Sequence, residues 1–149
     1  MAEYDLTPVK VPKVNTRFRR IRTPLPAPAS LPILAELRRS EPRSMSGQPP
    51  IVWHKADGAT VSDKWGNRWI DWSSGVLIAN AGHGHPAIRK AIRALVDRPL
   101  LATYVFPHEG RAELSRMLRM LSPDPKRYQV FLLTTGSEAT ENCIKLAKT

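Results

Sequence analysis

Apolar residues change their period along the chain. Between residues 51 and 71 they come in short runs, Ile51-Val52-Trp53, Ala59-Thr60-Val61-Ser62 and Arg68-Trp69-Ile70-Asp71. Ala56-Asp57-Gly58 and Asp63-Lys64-Trp65-Gly66-Asn67 separate them with turn chemistry, which predicts a small antiparallel meander. Trp53, Trp65, Trp69 and Trp72 are expected to pack there. From Pro86 the spacing becomes helical. Ile88, Ala91, Ile92 and Leu95 form one stripe, and Leu114, Met117, Leu118 and Leu121 form another in a helix starting near Glu109. Ser122-Pro123-Asp124-Pro125 stops that helix. Residues 128–134 are a short apolar and β-branched run, the composition of a buried parallel strand. A small polar turn, Thr135-Gly136-Ser137-Glu138, follows, and then Ala139, Cys143, Ile144 and Ala147 recur at helical spacing. The order of strand, tight turn and helix predicts the start of an α/β domain.

Residues 1–50 read differently. Nine of the fourteen prolines fall there, so regular structure is expected to be brief. An extended arm follows from this, with one helix across residues 31–39 and few core contacts. The predicted organisation is a proline-rich basic arm (1–50), a small-domain β-meander with a glycine-rich loop (51–85), and the start of a large domain (86–149). Lysine and arginine outnumber aspartate and glutamate by 23 to 13. Arg17, Arg19, Arg20 and Arg22 cluster around Phe18 and Ile21, but no recognition motif accompanies the charge, so no nucleic-acid partner is expected. A solvated or subunit-contacting arm is. One cysteine excludes an internal disulfide framework and suits a reducing cytosol. The early acids exclude a secretory signal, and no segment has the apolar length to span a bilayer, so a cytoplasmic place is expected.

Two segments carry candidate chemistry. In the turn at 135–138, Gly136 permits close approach of the backbone, and the first amides of the new helix have no intrahelical partner. Such a helix start attracts phosphate, with Thr135 and Ser137 hydroxyls as further donors. The same residues also fit a capping box, with Thr135 accepting from the helix and Glu138 reaching back. The turn is neither a Walker loop nor a dinucleotide G-x-G-x-x-G. The second segment, residues 71–86, holds Gly75, Gly82 and Gly84, a loop whose backbone must pass close to something. His83 and His85 lie two apart with no third ligand nearby, so no metal is expected. Each imidazole is expected to hydrogen-bond loop backbone.

The residues TTGSEATENCIKLAK resemble the cofactor-phosphate turn of class III aminotransferases, the pyridoxal 5'-phosphate (PLP) enzymes that include 4-aminobutyrate, ornithine and acetylornithine aminotransferases. Gly136, Ser137, Glu138, Ala139, Glu141, Lys145, Leu146 and Ala147 carry the match. A second match lies upstream in the right order, through Asp71, Gly75, Val76, Asn80, Gly82, His83, His85 and Pro86. The resemblance implies a partial PLP-dependent transferase fold (fold type I), a small β-meander followed by the start of the large α/β domain. It implies cofactor binding by Thr135, Gly136 and Ser137. It also puts Val76 at the substrate entrance, with Tyr104 in the 99–107 loop as a second substrate-binding candidate. The implied reaction moves an amino group from an amine or ω-amino acid to a 2-oxo acid such as 2-oxoglutarate, in a homodimer.

The chain offers no other convincing parallel strand to pair with residues 128–134. Lys126 precedes that strand, and Lys145 and Lys148 ride on the helix leaving the turn, so none is expected to be the lysine that bonds the cofactor. The sequence therefore reads as the N-terminal portion of such an enzyme, with no catalytic residue of its own and no activity alone. Aminomutases, decarboxylases and racemases share the same cup and lid and stay open as alternatives. A non-catalytic basic binding module, supported by the arginine cluster, is the alternative of another class.

Overall fold

The computed structural model describes residues 4–45, 47–100, 102–103 and 105–149. Five two- or three-residue strands form one antiparallel sheet: β1 (Val14–Asn15), β2 (Arg20–Ile21), β3 (Lys55–Asp57), β4 (Thr60–Ser62) and β5 (Arg68–Ile70), in the order β1-β2-β5-β4-β3. The β3–β4 hairpin pairs Asp57 with Thr60, which leaves a two-residue loop. Gly58, at φ +52°, takes its first position, the one such a loop reserves for glycine. The β4–β5 turn is built by Asp63, whose Oδ1 accepts from the backbone N–H of Trp65 and Asn67, both at 2.9 Å.

Val61 sits opposite Trp69 on one face of the sheet, and Arg20 sits opposite Arg68 on the other. The small core collects Val61, Ile21 and Ala27 with the polar side chains of Ser30, Asp63 and Asn67. Asn67 is fully buried and fully employed. Its Oδ1 accepts from the N–H groups of Arg22 (2.7 Å) and Thr23 (3.2 Å), while its Nδ2 donates to Thr23 Oγ1 (2.8 Å) and Asp63 Oδ2 (2.6 Å). A buried amide satisfied this way fixes one arrangement, because any other leaves donors and acceptors unpaired. It also ties the proline-rich segment to the meander. The expected extended arm thus contributes β1, β2 and, among the described residues, the buried Ile21, Pro26, Ala27 and Ser30. Its helix α1 (Leu31–Ser40) follows a 3-10 turn at Pro28–Ser30, with Pro32 tolerated in the first turn.

Three longer helices complete the chain: α2 (Pro86–Val96), α3 (Glu109–Met120) and α4 (Gly136–Leu146). Pro86 opens α2 at N1, where its missing N–H costs nothing. The chain divides into two compact units, Met1–Asp97 and Arg98–Thr149.

Three expectations are corrected. Residues 128–134 form no ladder, because no described segment supplies a partner strand, and Phe131 is 68% exposed. The run at Ile51, Val52 and Trp53 also stays outside the sheet, whose strand β3 begins at Lys55. Pro49 and Pro50 lead into that run, and neither offers a backbone donor. Trp72 does not pack; it is 91% exposed beside the glycine-rich loop. Among the described residues, no helix is long and apolar enough to cross a membrane.

Candidate functional site

Within the Met1–Asp97 unit, the glycine-rich loop is organised by one carboxylate. Asp71 leaves β5 with its N–H donated to the Ala59 carbonyl at 2.8 Å, which fixes its backbone. Its side chain is only 3% exposed and accepts four hydrogen bonds. Ser73 N–H (2.9 Å) and Ser73 Oγ–H (2.6 Å) reach Oδ1, and Gly75 N–H (2.8 Å) and His83 Nε2 (2.6 Å) reach Oδ2. The bonds from Ser73 first, and from His83 next, hold the Asp71 carboxyl well below the usual carboxylate range, against the burial that raises it. An ionised carboxylate only accepts, so the His83 proton in this contact sits on Nε2.

The loop beyond Asp71 is strained. Ser74, Gly75, Val76 and Leu77 all have positive φ (51°, 61°, 64° and 66°), closing one left-handed turn at Ser74–Leu77. Such a conformation costs roughly 1–2 kcal/mol per non-glycine residue, so about 3–6 kcal/mol for Ser74, Val76 and Leu77 together. Hydrogen bonds to a charged acceptor contribute about 1.5–3 kcal/mol each, which makes the Asp71 contacts the right size to hold the turn. Side-chain packing does not hold it, since Val76 is 64% exposed and Leu77 more so. Val76 lines a groove of about 930 Å³ together with Leu37, Met45, Trp53 and Trp69.

His83 is fixed from two further directions. Its backbone exchanges hydrogen bonds with Gly58 at the hairpin tip (2.9 and 2.8 Å), and its ring meets Trp53 edge to face at 5.7 Å. The expectation that this imidazole binds loop backbone is therefore corrected: the partner is the Asp71 carboxylate. His85 precedes α2 and makes no side-chain cap. The signal for the Asp71 network was present as Asp71-x-Ser73, an Asx-turn pattern in which the carboxylate accepts from the residue two ahead.

Within the Arg98–Thr149 unit, the turn at 135–138 forms the capping box. Thr135 Oγ1 accepts from Glu138 N–H at 3.2 Å, and Glu138 Oε2 accepts from the N–H groups of Thr134 (2.9 Å) and Thr135 (3.0 Å). This employs the residues on either side and leaves the middle open. Among the described residues, the N–H groups of Gly136 and Ser137 and the Ser137 hydroxyl have no hydrogen-bond partner. A Cβ built on Gly136 meets no atom within 4 Å, so the space in front of the turn is free. Two unpaired amides at a helix start, faced by open space, suit a phosphate group, and a side chain at Gly136 would occupy that space. Tyr104, the second substrate-wall candidate, lies outside the described residues.

Comparison with known proteins adds to this geometry. The family described as Aminotransferase class-III matches residues 43–149. A 4-aminobutyrate aminotransferase of Mycobacterium leprae (strain TN) is 30% identical over 131 residues, 87% of this chain and 29% of that protein. An acetylornithine aminotransferase of Methanothermobacter thermautotrophicus is 34% identical over 115 residues, 77% of this chain and 29% of that protein. In the solved structures, ornithine delta-aminotransferase of Plasmodium falciparum shares the fold at a TM-score of 0.69, with 24% identity, over 78% of this chain and 30% of that one. The chain thus spans under a third of the length of these relatives.

Proposed function

Because the chain belongs to the class-III aminotransferase family, whose fold binds PLP, we propose that it supplies the phosphate-binding turn and one wall of the substrate site of an aminotransferase. The reaction moves an amino group from an amine or ω-amino acid to a 2-oxo acid such as 2-oxoglutarate, in a homodimer. The observation that carries this reading is the pair of open amides at Gly136 and Ser137, left free by a capping box that occupies Thr135 and Glu138.

When bound, PLP supplies the electron sink for the chemistry at the amino-bearing carbon. The residues of this chain bind and orient. Gly136 and Ser137 donate their N–H groups to the phosphate and Ser137 adds its hydroxyl, while Thr135, whose oxygen accepts from Glu138 N–H, serves the cap that holds the turn in shape. The positive end of the α4 dipole favours the same anion. Val76, exposed and lining the groove, offers an apolar contact to the carbon chain of the amino donor.

The test is PLP affinity in Gly136→Val. The free space at Gly136 means that the variant folds without a clash, so any loss reads the ligand and not the fold. Affinity is expected to fall by about 10- to 100-fold, the scale of two charge-assisted hydrogen bonds. Unchanged affinity in a folded Gly136→Val protein removes the phosphate-cup reading.

A further inference from the structure

We propose that Asp71 and His83 are positioning residues, a latch that keeps the Ser74–Leu77 backbone left-handed and thereby sets where Val76 stands. Its bearing on catalysis rests on reading Val76 as a substrate contact. The latch itself rests on the geometry of the loop.

Three observations meet here. The first is four consecutive residues at positive φ, among them a β-branched valine, for which this conformation is rare. A strained turn persists only where its surroundings over-determine it. The second is that no packing does so, because Val76, Leu77 and Ile78 are all largely exposed. The third is where the loop's bonds end. The Gly75 N–H donates to Asp71 Oδ2, and the Leu77 N–H donates to the Ser73 carbonyl at 2.8 Å, with Ser73 itself bound to Asp71 Oδ1; the Ile78 (3.0 Å) and Ala79 (2.8 Å) N–H groups close locally on the Ser74 carbonyl.

His83 closes the latch from the far end of the loop, twelve residues on from Asp71 in sequence. Anchored by Gly58 and backed by Trp53, it brings a donor to the same Oδ2 that takes the Gly75 N–H. Gly75 sits in close quarters beside it: a Cβ there would lie 3.4 Å from Ile78 Cγ1 and 3.5 Å from His83 Cε1. Without the imidazole, Asp71 keeps only donors from its own side of the loop. The left-handed turn then loses the side-chain bond that ties its carboxylate to the far end of the loop, and it relaxes.

The test is NMR on the full 149-residue chain, labelled with ¹³C and ¹⁵N. Positive φ brings each residue's own N–H and Hα close, so Val76 and Leu77 are expected to show strong intraresidue N–H/Hα cross-peaks. His83 Nε2 is expected to resonate as a protonated nitrogen. His83→Ala should lose the two cross-peaks while the amides of β4 and β5 keep their shifts. His83→Gln, which can return an N–H donor to Asp71, should restore them. Retention of the cross-peaks in His83→Ala, or their equal loss in His83→Gln, overturns the latch. Should His83→Ala fail to fold, the unsubstituted chain still decides, because an unprotonated Nε2 in it removes the bond on which the proposal depends. None of these signals depends on PLP. Failure of the phosphate-cup reading would leave them in place, and failure of the latch would leave PLP binding in place.

Discussion

The loop after Asp71 and the turn at 135–138 are both short polar connections rich in small residues, yet they use their hydrogen bonds in opposite ways. Around Asp71 the donors are consumed internally: Ser73, Gly75 and His83 all point to one covered carboxylate. At 135–138 the flanking residues satisfy each other, and the two amides between them are left unpaired. A segment whose donors are spent holds a shape, while one whose donors are open can hold a ligand. The conformations agree. The Asp71 loop keeps four residues in a left-handed turn that only strong internal bonding sustains, whereas Gly136 begins a helix and needs no such support.

The largest effect that separates the two is expected from Asp71→Ala. Four hydrogen bonds disappear, but the left-handed turn relaxes and recovers part of its strain, so the net loss is about 2–4 kcal/mol. Thermal unfolding measures it, and a change near zero would mean that the loop's shape has another origin.

The same carboxylate gives a pH signature. Its folded pKa lies below the ordinary 3.8, so its contribution is complete above that value. As pH falls below 3.8 and protonation begins to reach the folded state, the contribution is lost. The stability gap between the unsubstituted chain and Asp71→Asn is therefore expected to be constant near neutrality and to narrow in acid. A gap that widens in acid contradicts the assignment.

At the other site, Thr135→Ala should lower stability by about 1 kcal/mol through loss of the N-cap. PLP affinity should change little, because the Gly136 and Ser137 amides remain. The smallest effect is expected for Ser137→Ala, a loss of affinity of about threefold with no loss of stability, since the amide survives and only the hydroxyl goes. Equal losses of affinity in these two variants would erase the distinction between cap and cup.

Much of this was legible before the fold was known. The 3.6-residue period placed α2, α3 and α4, because an amphipathic stripe writes itself directly into sequence. Thr135 and Glu138 announced the capping box through their spacing, and Gly136 and Ser137 marked the open turn. Period-2 patterning located β4 and β5, whereas the apolar, β-branched composition of residues 128–134 marks a strand whose partner no described segment supplies. Extended backbone becomes a strand only when a partner supplies the ladder. The Asp71–His83 bond was hidden for a related reason. The two residues are brought together by the Gly58 hairpin tip, a tertiary event that no local pattern records. The arm's share in the core is not written in its prolines, which report where regular structure is brief; a two-residue strand such as Arg20–Ile21 is brief enough to escape them.

The central claim is that the turn at 135–138 holds the phosphate of the cofactor. Its most direct test follows the backbone amide resonances of the chain during separate titrations with PLP, inorganic phosphate and pyridoxal, which lacks the phosphate. PLP and inorganic phosphate are expected to move the Gly136 and Ser137 resonances saturably, and pyridoxal is expected to leave them in place. Movement of those two amides by pyridoxal, or their indifference to both phosphate-bearing ligands, would contradict the account.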